Sequence, residues 1–206
     1  MNPAFPFVEA VADLRVGTLV STEPEDAGAE ADLATMRVLR RLGVTPVEVA
    51  LPDDLPISAL SIILEAEASA AFDGLTRSRG VDRMVRQERN AWPNVFRHAR
   101  FIPAVEYINA NRIRTQLMQA MGELMSQIDV LVTPSFGNAG LLITNLTGHP
   151  AVAIPNALLP VDGFPDRRAP HSITFVAPLW GEHHALRLAH AVQEATDVHR
   201  QRPPVS

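Results

Sequence analysis

Three uninterrupted apolar runs in the second half of the chain, Val130-Leu131-Val132, Ala151-Val152-Ala153-Ile154 and Ser172-Ile173-Thr174-Phe175-Val176, constrain its fold more than any other feature. Strands with one wetted face alternate apolar and polar residues, whereas unbroken β-branched runs belong to strands covered on both faces. Such a sheet needs helices above and below it, so the runs predict a layered α/β fold. The first half fits. Leu14 to Val20 reads as a short buried strand, and Glu25 to Leu42 carries Ala31, Ala34, Val38, Leu39 and Leu42 at the spacing of one helical face, with Gly43 as a stop signal. Thr45 to Leu51 reads as a second strand. A strand, helix and strand joined by short links predict a parallel pair with a right-handed crossover.

The middle is helical. Pro56 to Phe72 is rich in Ala, Leu, Ile and Glu, and Pro103 to Ile128 presents Ile113, Leu117, Ala120, Met121, Leu124 and Ile128 on one face. Between them, Gly80 to Arg100 is dense in arginine. An anion-binding or partner surface is one reading of Arg83, Arg86, Arg89, Arg97 and Arg100; a solvated face with local ion pairs is the preferred one. Asn156 to Pro170, with Pro160, Gly163, Pro165 and Pro170, is expected to be a long surface loop joining the last two strands. Glu182 to about Val198 closes the chain as a helix on Ala185, Leu188, Ala189, Val192 and Ala195, after a lead spaced by Pro3 and Pro6 at the other end. No repeat or low-complexity segment breaks the 206 residues, which are 47% hydrophobic and 20% charged, so residues 1–206 are expected to form a single α/β domain.

Composition also restricts chemistry. All 18 basic residues counted as Lys or Arg are arginine. Arginine stays protonated, so a mechanism needing a lysine base, Schiff base or phosphate-loop lysine has no residue in this chain to use. Cysteine is absent, which removes disulfides, thiolate metal sites and a cysteine nucleophile. The net charge of −5, with arginine scattered among acids, carries no nucleic-acid footprint. Met1 to Val20 has no basic start before an apolar run and contains Glu9, Asp13 and Arg15, so neither a signal peptide nor a membrane span is expected. The expected setting is soluble and cytoplasmic, with no nucleic-acid or membrane partner.

Motifs that would announce a reaction do not occur. There is no Gly-x-Ser-x-Gly elbow and no Gly-Gly-Ser-Ser loop. Ser135 is the nearest nucleophile candidate, but a serine ending a strand reads first as a turn or capping residue. Glu182-His183-His184 with His190 is not His-Glu-x-x-His, and exposed histidines behind an acidic first turn are the simpler reading. Asn145-Leu146-Thr147 matches a glycosylation sequon that matters only in a secreted chain. No phosphate loop, dinucleotide fingerprint or calcium loop is present, and no metal or cofactor is expected. These residues alone define an α/β protein of unspecified activity.

One constellation goes further. Tyr107 and Arg112/Arg114 lie on the long helix; Asp129-Val130-Leu131-Val132-Thr133-Pro134-Ser135 follows, then Thr144-Asn145-Leu146-Thr147-Gly148-His149-Pro150-Ala151, Ser172-Ile173-Thr174-Phe175 and Gly181-Glu182. In order and spacing this resembles the C-terminal portion of the amidase signature family, and Asp13-Leu14-Arg15-Val16-Gly17 is similar to the strand after that family's catalytic serine loop. The resemblance implies α/β/α layers around a large mixed sheet, with Asn-Leu-Thr-Gly-x-Pro-Ala as a strand. It also implies an enzyme that hydrolyses carboxamides or transfers their ammonia. The family attacks with a serine bridged by a second serine to a lysine, and none of the three has a match here. By resemblance, then, catalytic residues are absent from this chain. Ser135, Phe136, Asn138, Asn145 and Thr147 carry over as a substrate-cleft wall, in binding or backbone-fixing roles, and Gly148 and Pro150 as turn-shaping residues. The link from Pro134 to Asn145 is shorter than in many members. The implied partners are a small amide substrate and an N-terminal half, with self-association through an exposed sheet or apolar face. The alternative is a non-catalytic binding or assembly module built on the same scaffold.

Overall fold

The computed structural model of the chain describes residues 10–201; the lead with Pro3 and Pro6 lies outside them. The chain forms two compact units, one of Met1–Leu51 with Ala120–Ser206, the other of Pro52–Gln119. The first contains strands β1 (Val16–Thr18), β2 (Val47–Glu48), β3 (Val130–Pro134), β4 (Ala151–Val161) and β5 (Phe164–Val176). They form one mixed sheet in the order β2-β1-β3-β5-β4. β1 pairs parallel with β2 and with β3, while β5 runs antiparallel to both β3 and β4.

Helix α1 (Ala27–Arg41) links β1 to β2. It starts where Asp26 caps it, the side chain accepting from the Ala29 N–H. It ends in a Schellman arrangement: Gly43 sits at φ 84°, its N–H bonds the Arg40 carbonyl and that of Val44 bonds Leu39. Helix α7 (Glu182–Thr196) returns over the sheet. Met36, Val38 and Leu39 of α1, Leu188 and Val192 of α7, and Val130, Val132, Ile173 and Phe175 of the sheet share one buried cluster. Leu131, at the alternate register of β3, is also buried, so this strand is covered on both faces as its unbroken apolar run predicts.

Three expectations change. The buried face of α1 is Gly28, Asp32, Thr35, Met36, Val38 and Leu39, while Ala34 is exposed. The stripe is turned so that it carries two polar residues into the core. Asn145, Leu146 and Thr147 do not begin a strand; they end helix α6 (Gly140–Thr147), which Gly148 stops at φ 79°. The strand starts only at Ala151, because Gly148 turns the chain and Pro150 cannot continue a helix. Finally, Asn156 to Pro170 is not a loop but most of a long hairpin, whose two-residue turn Asp162-Gly163 places Gly163 at φ 76°. Its prolines are tolerated for positional reasons. Pro155 and Pro160 lie on the edge strand β4 at breaks in register, and Pro170 lies on a part of β5 that pairs only with β4.

The second unit is helical: α2 (Ser61–Ala71), α3 (Asp73–Arg77), α4 (Trp92–His98) and the part of α5 (Ala104–Ser126) up to Gln119. Phe72 and Phe96 stack at 4.8 Å, and the buried Ser69 hydroxyl donates to the Phe96 carbonyl at 2.9 Å. Its arginines make local pairs, Arg77 and Arg100 with Asp73, Arg79 and Arg97 with Asp82. Among the described residues no helix is long and apolar enough to cross a membrane.

Candidate functional site

The C-terminal ends of β1 and β3 and the first turns of α1 border a cleft of about 470 Å³, closed on a further side by the β4–β5 hairpin. Leu19, Val20, Pro134, Phe136 and Leu159 give it apolar walls; Ser21, Asp26, Asp32, Asn138 and His171 give it polar ones. That mixture of a mainly apolar lining with a few converging polar groups is what small-molecule sites share.

Asp32 is the unusual member. Its side chain is 3% exposed, yet among the described residues no arginine meets it. Instead its Oδ1 accepts from the Asn156 amide at 2.8 Å and from His171 Nε2 at 3.1 Å, and the same Asn156 amide reaches Thr35 Oγ1 at 3.2 Å. Burial pushes the Asp32 carboxyl above its ordinary value, opposed by the hydrogen bond from Asn156 and the nearby His171. Donation from Nε2 leaves Nδ1 of a neutral ring as an acceptor, because one imidazole nitrogen carries the proton and the other the lone pair. Gly28 makes this approach possible: a Cβ there would lie 2.8 Å from His171 Cε1 and 3.2 Å from both His171 Nδ1 and Asp26 Oδ1.

The residues carried over from sequence divide into two groups. Phe136 and Asn138 line the cleft, and the Phe136 ring is 76% exposed. Asn138 also shapes the turn: its Nδ2 donates to Thr133 Oγ1 at 3.0 Å and its Oδ1 accepts from the Gly140 N–H at 2.8 Å, at the start of α6. Ser135 has its hydroxyl 2.7 Å from Thr174 Oγ1 on β5. Asn145, exposed on α6, folds its Nδ2 back to the Leu141 carbonyl at 2.7 Å. Thr147 is buried and donates to the Ile143 carbonyl, so its oxygen accepts from His149 Nδ1 at 2.7 Å. Burial lowers the His149 pKa. Neither Asn145 nor Thr147 borders the cleft with Phe136 and Asn138. Sequence reasoning misses Asp26, Gly28, Asp32 and His171 as site residues, although Asp32 and Thr35 fall at helical spacing from Gly28, Met36 and Leu39, which marks a polar pair within an apolar stripe.

His184 is half-buried against His183, with ring centroids 3.9 Å apart, and burial lowers its pKa. Among the described residues no group of three or more histidines and carboxylates is placed to hold a metal.

The layered sheet agrees with solved structures. A bacterial aryl acylamidase of the amidase signature family superposes with a TM-score of 0.68 at 17% identity, covering 96% of this chain and 49% of that one. A structure described as a vestigial protein complex revealing the origins of an s-triazine catabolic enzyme gives 0.71 at 19% identity, with coverages of 96% and 46%. In sequence, the chain is 26% identical to a glutamyl-tRNA(Gln) amidotransferase subunit from Geobacillus stearothermophilus over 96% of its own length and 49% of the relative's. The corresponding subunit from Cupriavidus pinatubonensis is also 26% identical, over 95% and 46%. This chain is similar to the C-terminal portion of amidase signature enzymes. It spans about half the length of the curated relatives it matches. No protein-family profile matches it. The likeness to these solved structures extends to the fold of the mixed sheet.

Proposed function

We propose that this chain is the C-terminal portion of a carbon–nitrogen hydrolase or amidotransferase, cytoplasmic, in which it completes the sheet and walls one side of the cleft that receives a carboxamide. The observation that carries this reading is the match of nearly the whole chain to about half of each relative. Residues of this chain supply binding and shape, with Phe136 and Asn138 in the cleft, Ser135 tied to Thr174 on β5, and Asn145 and Thr147 bonded to carbonyls of their own helix α6. The nucleophile and its base come from elsewhere, since no lysine and no Gly-Gly-Ser-Ser loop occurs in the 206 residues. A site lacking both groups loses most of its rate enhancement.

The chain alone is therefore expected to hydrolyse no amide by the serine–lysine route, and to do so when joined to an N-terminal half that carries the Ser-Ser-Lys residues. The assay is release of ammonia or amine from a broad panel of carboxamides, by the chain, by the N-terminal half and by their complex. A folded complex with an intact Ser-Ser-Lys set and no turnover on any member of the panel would sink the hydrolase reading and leave the binding-module alternative.

A further inference from the structure

The cleft beside α1 has a charge inventory that selects among ligands. Two carboxylates, Asp26 and Asp32, line it, and among the described residues no arginine does. The first turn of α1 would ordinarily attract an anion, but Asp26 already occupies that position, its Oδ1 taking the Ala29 N–H at 2.7 Å. An anionic ligand would thus meet two like charges and no cationic anchor. A cation meets the reverse, and because Asp32 is nearly excluded from solvent, its attraction is screened less than that of a surface carboxylate.

The rest of the lining indicates what the cation is attached to. Leu19, Val20, Pro134 and Leu159 offer apolar contact, and the exposed face of Phe136 suits both an apolar body and a positive head. His171, donating through Nε2 to Asp32, leaves Nδ1 as an acceptor for an N–H donor. We propose that this cleft binds a primary ammonium group carried on a short apolar body, through the carboxylates of Asp26 and Asp32 and the imidazole of His171. This names the substrate class for the cleft assigned above, and it rests on that reading only for the statement that the bound amine belongs to a substrate.

The binding itself is read on the 206-residue chain, without any hydrolysis, so the two readings fail separately. Amide ¹H–¹⁵N spectra are recorded while 2-phenylethylammonium, and in parallel the uncharged 2-phenylethanol, is added at neutral pH. The ammonium compound is expected to move the resonances of Gly28, Ala29 and Gly137 and to bind about tenfold or more tightly than the alcohol, one charge-assisted contact's worth. Asp32→Asn retains an acceptor for Asn156 and His171 but removes the charge, and should erase most of that preference. Asp26→Asn preserves the helix cap and should weaken the amine by about threefold, as expected for a more exposed charge. If Asp32→Asn does not fold, Asp26→Asn together with His171→Gln decides the matter. Equal affinity for amine and alcohol, shifts confined to residues away from the cleft, or folded variants that bind like the parent would each overturn the proposal. Binding without turnover in the reconstituted complex would overturn only the hydrolase reading.

Discussion

Asp73 in the helical unit and Asp32 in the sheet unit each border a cleft, of about 530 and 470 Å³ respectively, yet they are held in opposite ways. Asp73 is 37% exposed and bonded by two guanidiniums, those of Arg77 and Arg100. Asp32 is 3% exposed and, among the described residues, meets an amide and an imidazole but no guanidinium. The first carboxylate is over-neutralised at low cost because water shares the load, so it has little left to offer a ligand. The second retains its charge in a place where charge is expensive, and that expense is justified physically only by what it organises: Asn156 on β4 and His171 on β5 are tied through it to α1. Ion pairs can be numerous and weak in one unit while a single buried carboxylate dominates the other.

The comparison predicts its largest effect on truncation. Asp32→Ala strands the Asn156 amide and the His171 N–H and should cost about 1–3 kcal/mol, whereas Asp73→Ala should cost no more than about 1 kcal/mol, as expected for an exposed pair. Urea denaturation of the two variants, followed by signals within their own units, checks this; an equal or reversed ranking breaks the contrast.

A second effect has a sign that distinguishes buried from partly exposed carboxylates. The native pKa of Asp32 is raised above 3.8, chiefly by burial, so the folded chain takes up its proton first and this group's contribution to stability falls as pH rises from 3.8 through the native value. Asp129 is the opposite case: Arg15 Nη2 reaches its Oδ1 at 2.7 Å and the Arg15 backbone N–H its Oδ2 at 2.8 Å, and these bonds hold its pKa below 3.8. Its contribution is present above 3.8 and is lost as pH falls through the lowered native value. As pH rises from acid to neutral, Asp32→Asn should therefore gain stability relative to the parent and Asp129→Asn should lose it; differences that change with pH in the same direction would contradict the assignment.

The smallest effect is on salt. Raising the ionic strength to about 0.5 M should shrink the Asp73→Ala difference by a few tenths of a kcal/mol and leave that of Asp32→Ala unchanged, since screening acts on exposed pairs. Repeating the urea titrations at both ionic strengths would show it.

Much of the scaffold could be read directly. Helix α1 has its C-terminal Gly43 where local rules place it, and the apolar run of β3 is buried as such runs require. The hairpin could not, because prolines and a glycine over residues 156–170 carry the same local signals in a loop as on a strand with an unpaired side. Helix α6 was hidden for a related reason: eight residues ending in Asn145-Leu146-Thr147 have no strong helical period, and the αL glycine that stops them looks like any turn. Of the residues bordering the cleft, Phe136 and Asn138 are named from the sequence only through the resemblance to amidase signature enzymes. Asp32 and His171 are not, being 139 residues apart and each ordinary in its own neighbourhood.

By itself, then, the sequence determined a layered α/β scaffold, the absence of lysine and cysteine chemistry, and the motif order shared with amidase signature enzymes, because periodicity, capping and composition act over a few residues at a time. Only the tertiary structure decided that α1 turns Asp32 inward, that the hairpin folds back to bring His171 and Asn156 to it, and that Asp32 and His171 meet at a cleft that no arginine lines among the described residues. A carboxylate's chemistry depends on its solvent and its neighbours, and both are set by chain segments far from it in sequence.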